Sequence, residues 1–170
     1  NPAFNEDNVS DKPSWMKKLP KLNKVQIKDV DEEYDNKICT LHAVDRAVDD
    51  IIKALGTKRN NTAIFFLSDN GFAFGNHRWD TKACAYEVCV GVDMVISYPP
   101  LTKGKKVTDQ FGLNIDLAPT ILDLAGLPIP SSVDGKSLVP LLRDLETKIH
   151  DNFLIETYNN DIEPPGEDYG

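Results

Sequence analysis

Over residues 25–55 the apolar side chains Ile27, Val30, Tyr34, Ile38, Leu41, Val44, Val48, Ile51 and Leu55 recur at steps of three and four. A period of two would scatter them over both faces of a strand. A period of 3.6 gathers them into one stripe, so the spacing predicts a single long amphipathic helix. Asp29, Glu32, Glu33, Asp45 and Asp49 fall on its polar face, and Gly56 is a natural C-terminal stop. His42 lies beside the stripe, where a structural or solvated histidine fits better than a catalytic one.

After a short charged loop, Ala63-Ile64-Phe65-Phe66-Leu67 is a continuous apolar run, the pattern of a parallel strand covered on both faces. Residues 92–98 read as a second buried strand, closed by Pro99-Pro100. Asn114 can cap a helix over 115–125, with Pro119 near its first turn and Gly126 at its end. Residues 137–142 could form another short helix and 153–157 a final strand. Helices alternating with buried strands predict an α/β sheet with helices on its faces. Residues 1–24 carry three prolines and no periodicity, and read as an irregular, surface-following segment. Residues 101–106 read as a solvated basic loop.

The 170 residues are enough for one domain with a sizeable core. No apolar run approaches the roughly 20 residues needed to span a bilayer. A net charge of −8 argues against a nucleic-acid partner, since phosphate binding favours a basic surface. The acidity fits cation binding, though solubility alone covers most of it. Cys39, Cys84 and Cys89 make neither a disulfide framework nor a CxxC zinc pattern. Cys84 and Cys89 are close enough in sequence to pair, but all three read most simply as buried hydrophobes. Asn8-Val9-Ser10 and Asn60-Asn61-Thr62 match the glycosylation acceptor pattern and permit a secretory location.

The chemistry concentrates after the first apolar run. Ser68-Asp69-Asn70-Gly71 is followed by Gly75-Asn76-His77, Lys82 and Tyr86-Glu87. In open α/β sheets ligands gather beyond the carboxyl ends of strands. Asp69 and Asn70 stand at such an end, and a carboxylate with an amide carbonyl suits a hard cation such as Ca²⁺ or Mg²⁺. Gly71 lets the chain turn. Asp-Asn-Gly after a strand is also ordinary turn chemistry, so the tetrapeptide alone leaves both readings open. His77 and Lys82 weigh toward a site. Lys82 offers three donors to sulfate or phosphate oxygens, and His77 could bond the substrate or protonate a leaving oxygen. Tyr86 and Glu87 fit loop anchors better than catalysts.

The ordered set Ser68-Asp69-Asn70-Gly71, Gly75-x-His77, Lys82 and Tyr86-Glu87 resembles the C-terminal half of the sulfatase catalytic domain, in the alkaline phosphatase superfamily. Asp116-Leu117-Ala118-Pro119-Thr120-Ile121-Leu122-Asp123-Leu124-Ala125-Gly126-Leu127-Pro128 resembles that family's recurrent helix, and Asp134-Gly135-Lys136-Ser137-Leu138 continues the pattern. The resemblance implies a partial alkaline-phosphatase-like fold: a mostly parallel sheet with helices on both faces, carried by residues 25–142, and a smaller subdomain beginning within 143–170. It implies Asp69 and Asn70 as Ca²⁺ ligands and Lys82 and His77 as catalytic, sulfate-facing residues. It also implies a sulfated small molecule or glycan as substrate and a secreted, lysosomal or periplasmic setting.

The family's nucleophile is a formylglycine made within a C/S-x-P-x-R motif. No cysteine or serine of this sequence opens that motif, and the paired aspartates of the family's first strand are not identifiable. Gly91 and Asp93 stand where Arg and Pro are usual, and Asp93 would need a partner if buried. The start at Asn1, without Met, favours a truncated enzyme lacking the N-terminal half of its domain over a degenerate copy. Such a chain alone is expected to be inactive, with exposed sheet edges and apolar helix faces. The competing readings are a phosphodiesterase or phosphonate hydrolase of the same superfamily, and a non-catalytic module binding Ca²⁺ or a partner chain.

Overall fold

The computed structural model describes residues 1–104 and 106–156. They fall into two compact units, one built from residues 1–54 and 70–92 together with Glu156, the other from 55–69 and 93–155.

In the first unit, α1 (Ser14–Lys17) is a single turn that buries Met16 completely. Met16 and Leu19 pack with Ala73, Trp79, Cys84 and Cys89 into one apolar cluster. Trp15 meets Trp79 edge-on at 5.1 Å. Residues 14–19 thus supply core side chains, where the sequence indicated only a surface path.

Helix α2 (Lys24–Leu55) coincides with the predicted amphipathic stretch. Its start is a reciprocal cap. The Asn23 side chain accepts the amides of Val25 and Gln26 at 2.8 and 3.1 Å, and the Gln26 side chain accepts the amide of Asn23 at 3.0 Å. The pairs Lys28–Glu32, Glu33–Lys37 and Asp49–Lys53 lie one turn apart along it, each adding about 0.2–0.5 kcal/mol. It stops at Gly56, whose φ of +50° is left-handed. Of the apolar stripe Val30 is buried, Tyr34 sits edge-on to Phe74, and Ile38, Leu41, Val44 and Ile51 stay exposed. His42 is exposed on this helix, consistent with a solvated role.

The loop 70–92 closes the unit and ends in α3 (Glu87–Val90). Cys84 and Cys89 are joined by a disulfide, their Cα atoms 5.5 Å apart. Both are buried, as the sequence indicated, but as a pair; Cys39, expected to be buried, is an exposed free thiol on α2.

The second unit contains β1 (Ile64–Leu67) and β2 (Met94–Ser97), paired in the register Ile64↔Ser97 to Leu67↔Met94. The pairing is antiparallel, whereas the unbroken apolar run of β1 suggested a parallel neighbour. Nor is either strand buried: Phe66 and Val95 are exposed and the other strand residues half-buried. An apolar run fixes neither the cover a strand receives nor its direction, which is set by a partner elsewhere in the chain. Asp93 precedes β2 and is exposed, so it needs no buried partner.

A 3₁₀ turn over Asn114–Asp116 leads into α4 (Leu117–Leu124). That helix ends at Gly126, whose φ is +67°. The Gly126 amide bonds the Asp123 carbonyl and the Leu127 amide bonds the Leu122 carbonyl, a Schellman closure. Helix α5 (Val139–Arg143) begins slightly later than the sequence indicated and buries Val139 and Leu141. Asp116 and Thr120 are fully buried between these elements. Residues 153–156 pair in no ladder; Thr157, the end of the expected final strand, lies outside the described residues.

Candidate functional site

The segment after β1 is shaped by close backbone contact. Gly71 donates its amide to the Cys89 carbonyl at 2.8 Å, and a Cβ on it would come within 2.1 Å of the Val88 carbonyl oxygen. Its φ is not left-handed, so glycine is needed for proximity rather than for a turn. Asn70, half-buried, donates its amide nitrogen to the Gly71 carbonyl at 2.8 Å. That commits the end of the amide which a cation cannot use. Asp69 is exposed.

Six residues past Gly71, the chain is held in an unfavourable shape. His77 and Arg78 both adopt left-handed φ, +55° and +70°, which costs a non-glycine residue of order 1 kcal/mol or more. Three sets of bonds to the N-terminal segment hold it. The His77 amide bonds the Ala3 carbonyl at 2.7 Å, and the Asn5 amide bonds the Gly75 carbonyl at 2.8 Å. The Arg78 guanidinium donates to the carbonyls of Glu6 at 3.0 Å, Leu19 at 2.8 Å and Asp7 at 2.9 Å. Gly75, with φ +77°, sits against the Phe4 ring, and a Cβ there would lie 2.7 Å from it.

The imidazole of His77 is itself partnered. Its Nδ1 lies 2.6 Å from Glu6 Oε2, and its ring stacks at a tilt on Tyr86 with centroids 4.7 Å apart. The hydrogen bond from His77, and after it the Lys12 ammonium, holds the Glu6 carboxyl below the usual carboxylate range. Lys12 is in turn held up by its hydrogen bond with Asp11. Burial pushes the Tyr86 phenol up.

Lys82 is exposed on the same loop, and its carbonyl accepts the Trp79 indole N–H at 3.1 Å. Tyr86 precedes the first turn of α3 with its ring against His77, and Glu87 is exposed within that turn. His77 and Lys82 therefore share one loop, but His77 is engaged with Glu6. Sequence reasoning missed Glu6 and Arg78. Glu6 is 71 residues from its partner and lies in a segment without periodicity; Arg78 had the one local signal of standing next to His77.

Two hard oxygen donors in sequence at Asp69-Asn70 fit the chemistry of Ca²⁺, which takes six to eight oxygens. Among the described residues no group of three or more His, Cys, Asp or Glu side chains gathers as a metal set.

Residues 75–165, more than half of the chain, match the family described as N-sulphoglucosamine sulphohydrolase, C-terminal. This chain belongs to the sulfatase family. The sulfatase relatives include N-acetylglucosamine-6-O-sulfatase of Bacteroides thetaiotaomicron, 34% identical over 132 residues, covering 76% of this chain and 24% of the relative. Human N-acetylglucosamine-6-sulfatase is 35% identical over 130 residues, covering 74% and 23%. A solved structure in complex with its substrate D-glucosamine-2-N,6-O-disulfate is 35% identical with a TM-score of 0.60, covering 68% of this chain and 24% of that one. The sulfatase chain spans about a quarter of the length of these curated relatives. The likeness bears out the partial alkaline-phosphatase-like α/β fold, of which the antiparallel β1–β2 pair is one piece.

Proposed function

We propose that this chain is the C-terminal portion of the catalytic domain of a sulfuric ester hydrolase acting on a sulfated amino sugar. The match over residues 75–165, joined to relatives named for N-acetylglucosamine sulfate, carries the reading. The complex with a disulfated glucosamine supports the same substrate class.

In this reading Asp69 and Asn70 contribute oxygen ligands to a Ca²⁺ ion, with the remaining ligands outside this chain. The bound cation would neutralise sulfate charge, and a formylglycine, also outside this chain, would supply the nucleophile. The work of these residues is electrostatic and positional. Lys82 presents a compact ammonium to the sulfate oxygens. His77 hydrogen-bonds the substrate or hands a proton to the departing oxygen. Among the described residues no helix is long and apolar enough to cross a membrane. The substrate is sought as a sulfated small molecule or glycan, in line with the sulfated sugar bound in the related structure, and a net charge of −8 disfavours a nucleic-acid partner.

The test is turnover of N-acetylglucosamine-6-sulfate by the full-length protein. Lys82→Ala and His77→Ala are each expected to lower kcat/KM by roughly 10²-fold or more, as for lost transition-state donors, and Asp69→Ala to lower Ca²⁺ occupancy. Wild-type turnover in both loop variants would sink the site assignment. Cleavage of phosphodiesters or phosphonates in place of sulfate esters would return the phosphorus-directed reading. The isolated chain is expected to be inactive.

A further inference from the structure

We infer that Glu6 is a positioning residue for His77: it binds Nδ1, fixes the tautomer and plane of the ring, and leaves Nε2 as the nitrogen that addresses the substrate. The inference rests on the reading of His77 as substrate-facing. Its support is geometric.

A carboxylate 2.6 Å from Nδ1 can only accept, so the proton of that bond belongs to the ring nitrogen. A histidine held at one nitrogen by a carboxylate has its other nitrogen defined by default, whether the ring is neutral or charged. The ring plane has a second support in the Tyr86 face at 4.7 Å.

The backbone points the same way. Two successive left-handed residues, His77 and Arg78, are held there by bonds to residues 3, 6, 7 and 19. Backbone strain held by surrounding contacts is the pattern of a pre-organised site. The segment that holds it is the one that carries Glu6. The charged groups around the pair are Lys12, 3.6 Å from Glu6 Oε2, Asp11 bonded to Lys12, and the Arg78 guanidinium on the Glu6 carbonyl. Tyr86 is the remaining titratable neighbour. Lys12 favours an ionised Glu6.

The experiment uses the full-length protein. Long-range proton–nitrogen NMR of His77, at a pH where its ring is neutral, is expected to show the Nδ1–H tautomer in the wild type. An Nε2–H ring overturns the inference without any variant being made. Glu6→Gln is expected to lower kcat roughly 10- to 100-fold, the range typical of a ring's outer partner, with KM changed by less than about threefold. It is also expected to mix the tautomers, and Glu6→Asp to restore part of kcat. Because Glu6 acts through the ring, Glu6→Gln combined with His77→Ala is expected to match His77→Ala alone. A double variant lower by the full Glu6→Gln factor assigns Glu6 a structural role instead and refutes the inference. Wild-type turnover by His77→Ala removes the site reading above, and the tautomer measurement then judges the hold of Glu6 on the ring by itself.

Discussion

Asp116 is completely buried, and its carboxylate gathers three separate parts of the second unit. Oδ2 accepts the Leu113 amide at 2.9 Å, Oδ1 accepts the Lys136 amide at 2.8 Å, and His150 Nε2 lies 2.8 and 3.0 Å from the two oxygens. The perturbation is Asp116→Ala. Three hydrogen bonds to a charged acceptor, at about 1.5–3 kcal/mol each, give a ceiling of roughly 4.5–9 kcal/mol. The true cost is lower, because Leu113 is only half-buried and Lys136 is exposed, so water can replace two of the bonds. The His150 bond is sealed, with the residue 7% exposed. Breaking such a buried pair costs about 3–5 kcal/mol, which is the expected effect. Site-resolved amide hydrogen exchange in the full-length protein reads it as a fall in protection of roughly 10²- to 10⁴-fold over residues 113–150. Asp116→Asn keeps the volume but turns an NH₂ against one of the donors, and is expected to cost at least half as much. A double-mutant cycle with His150→Ala should return a coupling above about 1.5 kcal/mol. A neutral Asp116→Asn, or a coupling below about 0.5 kcal/mol, would refute the hub.

Acidification should loosen the first unit at its N-terminal segment. The folded Glu6 carboxyl titrates below its ordinary value of 4.5, so its contribution is complete above that pH and disappears as pH falls through the lower folded value. Limited proteolysis within residues 1–12 should therefore accelerate below about pH 4.5, and Glu6→Gln should flatten that dependence. Cleavage rates that ignore pH in the wild type would contradict it. Replacing both Cys84 and Cys89 with Ser opens a loop of sequence separation 5. The chain-entropy relation puts the loss at about 2 kcal/mol, visible as a lower thermal midpoint under oxidising conditions, whereas the same variant should match the reduced wild type.

How much of this was legible in the sequence follows from the range over which each feature is encoded. Helix α2 is written locally, in a stripe of apolar residues and a stop at Gly56, and appears within one residue of its expected bounds. The helix after Asn114 was legible for the same reason, although its first turn is 3₁₀ because Asp116 folds back onto the Leu113 amide. Strand direction was not legible, since Leu67 meets Met94 at a sequence separation of 27 and no pattern in either strand names the other. The Cys84–Cys89 spacing allowed a bond or two buried thiols, and only the turn into α3 brings the two sulfurs together. In the candidate site, His77 and Lys82 could be read from their loop. The carboxylate on His77 could not, because a Pro-rich segment carries no periodic signal linking Glu6 to residue 77.

The clamp made by Arg78 has a consequence for how this sequence can drift. All three of its bonds end on main-chain carbonyls, those of Glu6, Asp7 and Leu19. A carbonyl is present whatever residue occupies the position, so the clamp places no demand of its own on the side chain at Asp7, which is exposed. The demand falls wholly on position 78. A lysine there has one compact ammonium and cannot reach three carbonyls spread over two stretches of chain. Among descendants of this sequence, the clamp leaves residue 7 to its exposed pairing with Lys21 alone while residue 78 stays arginine, and the bend that carries His77 is inherited with it.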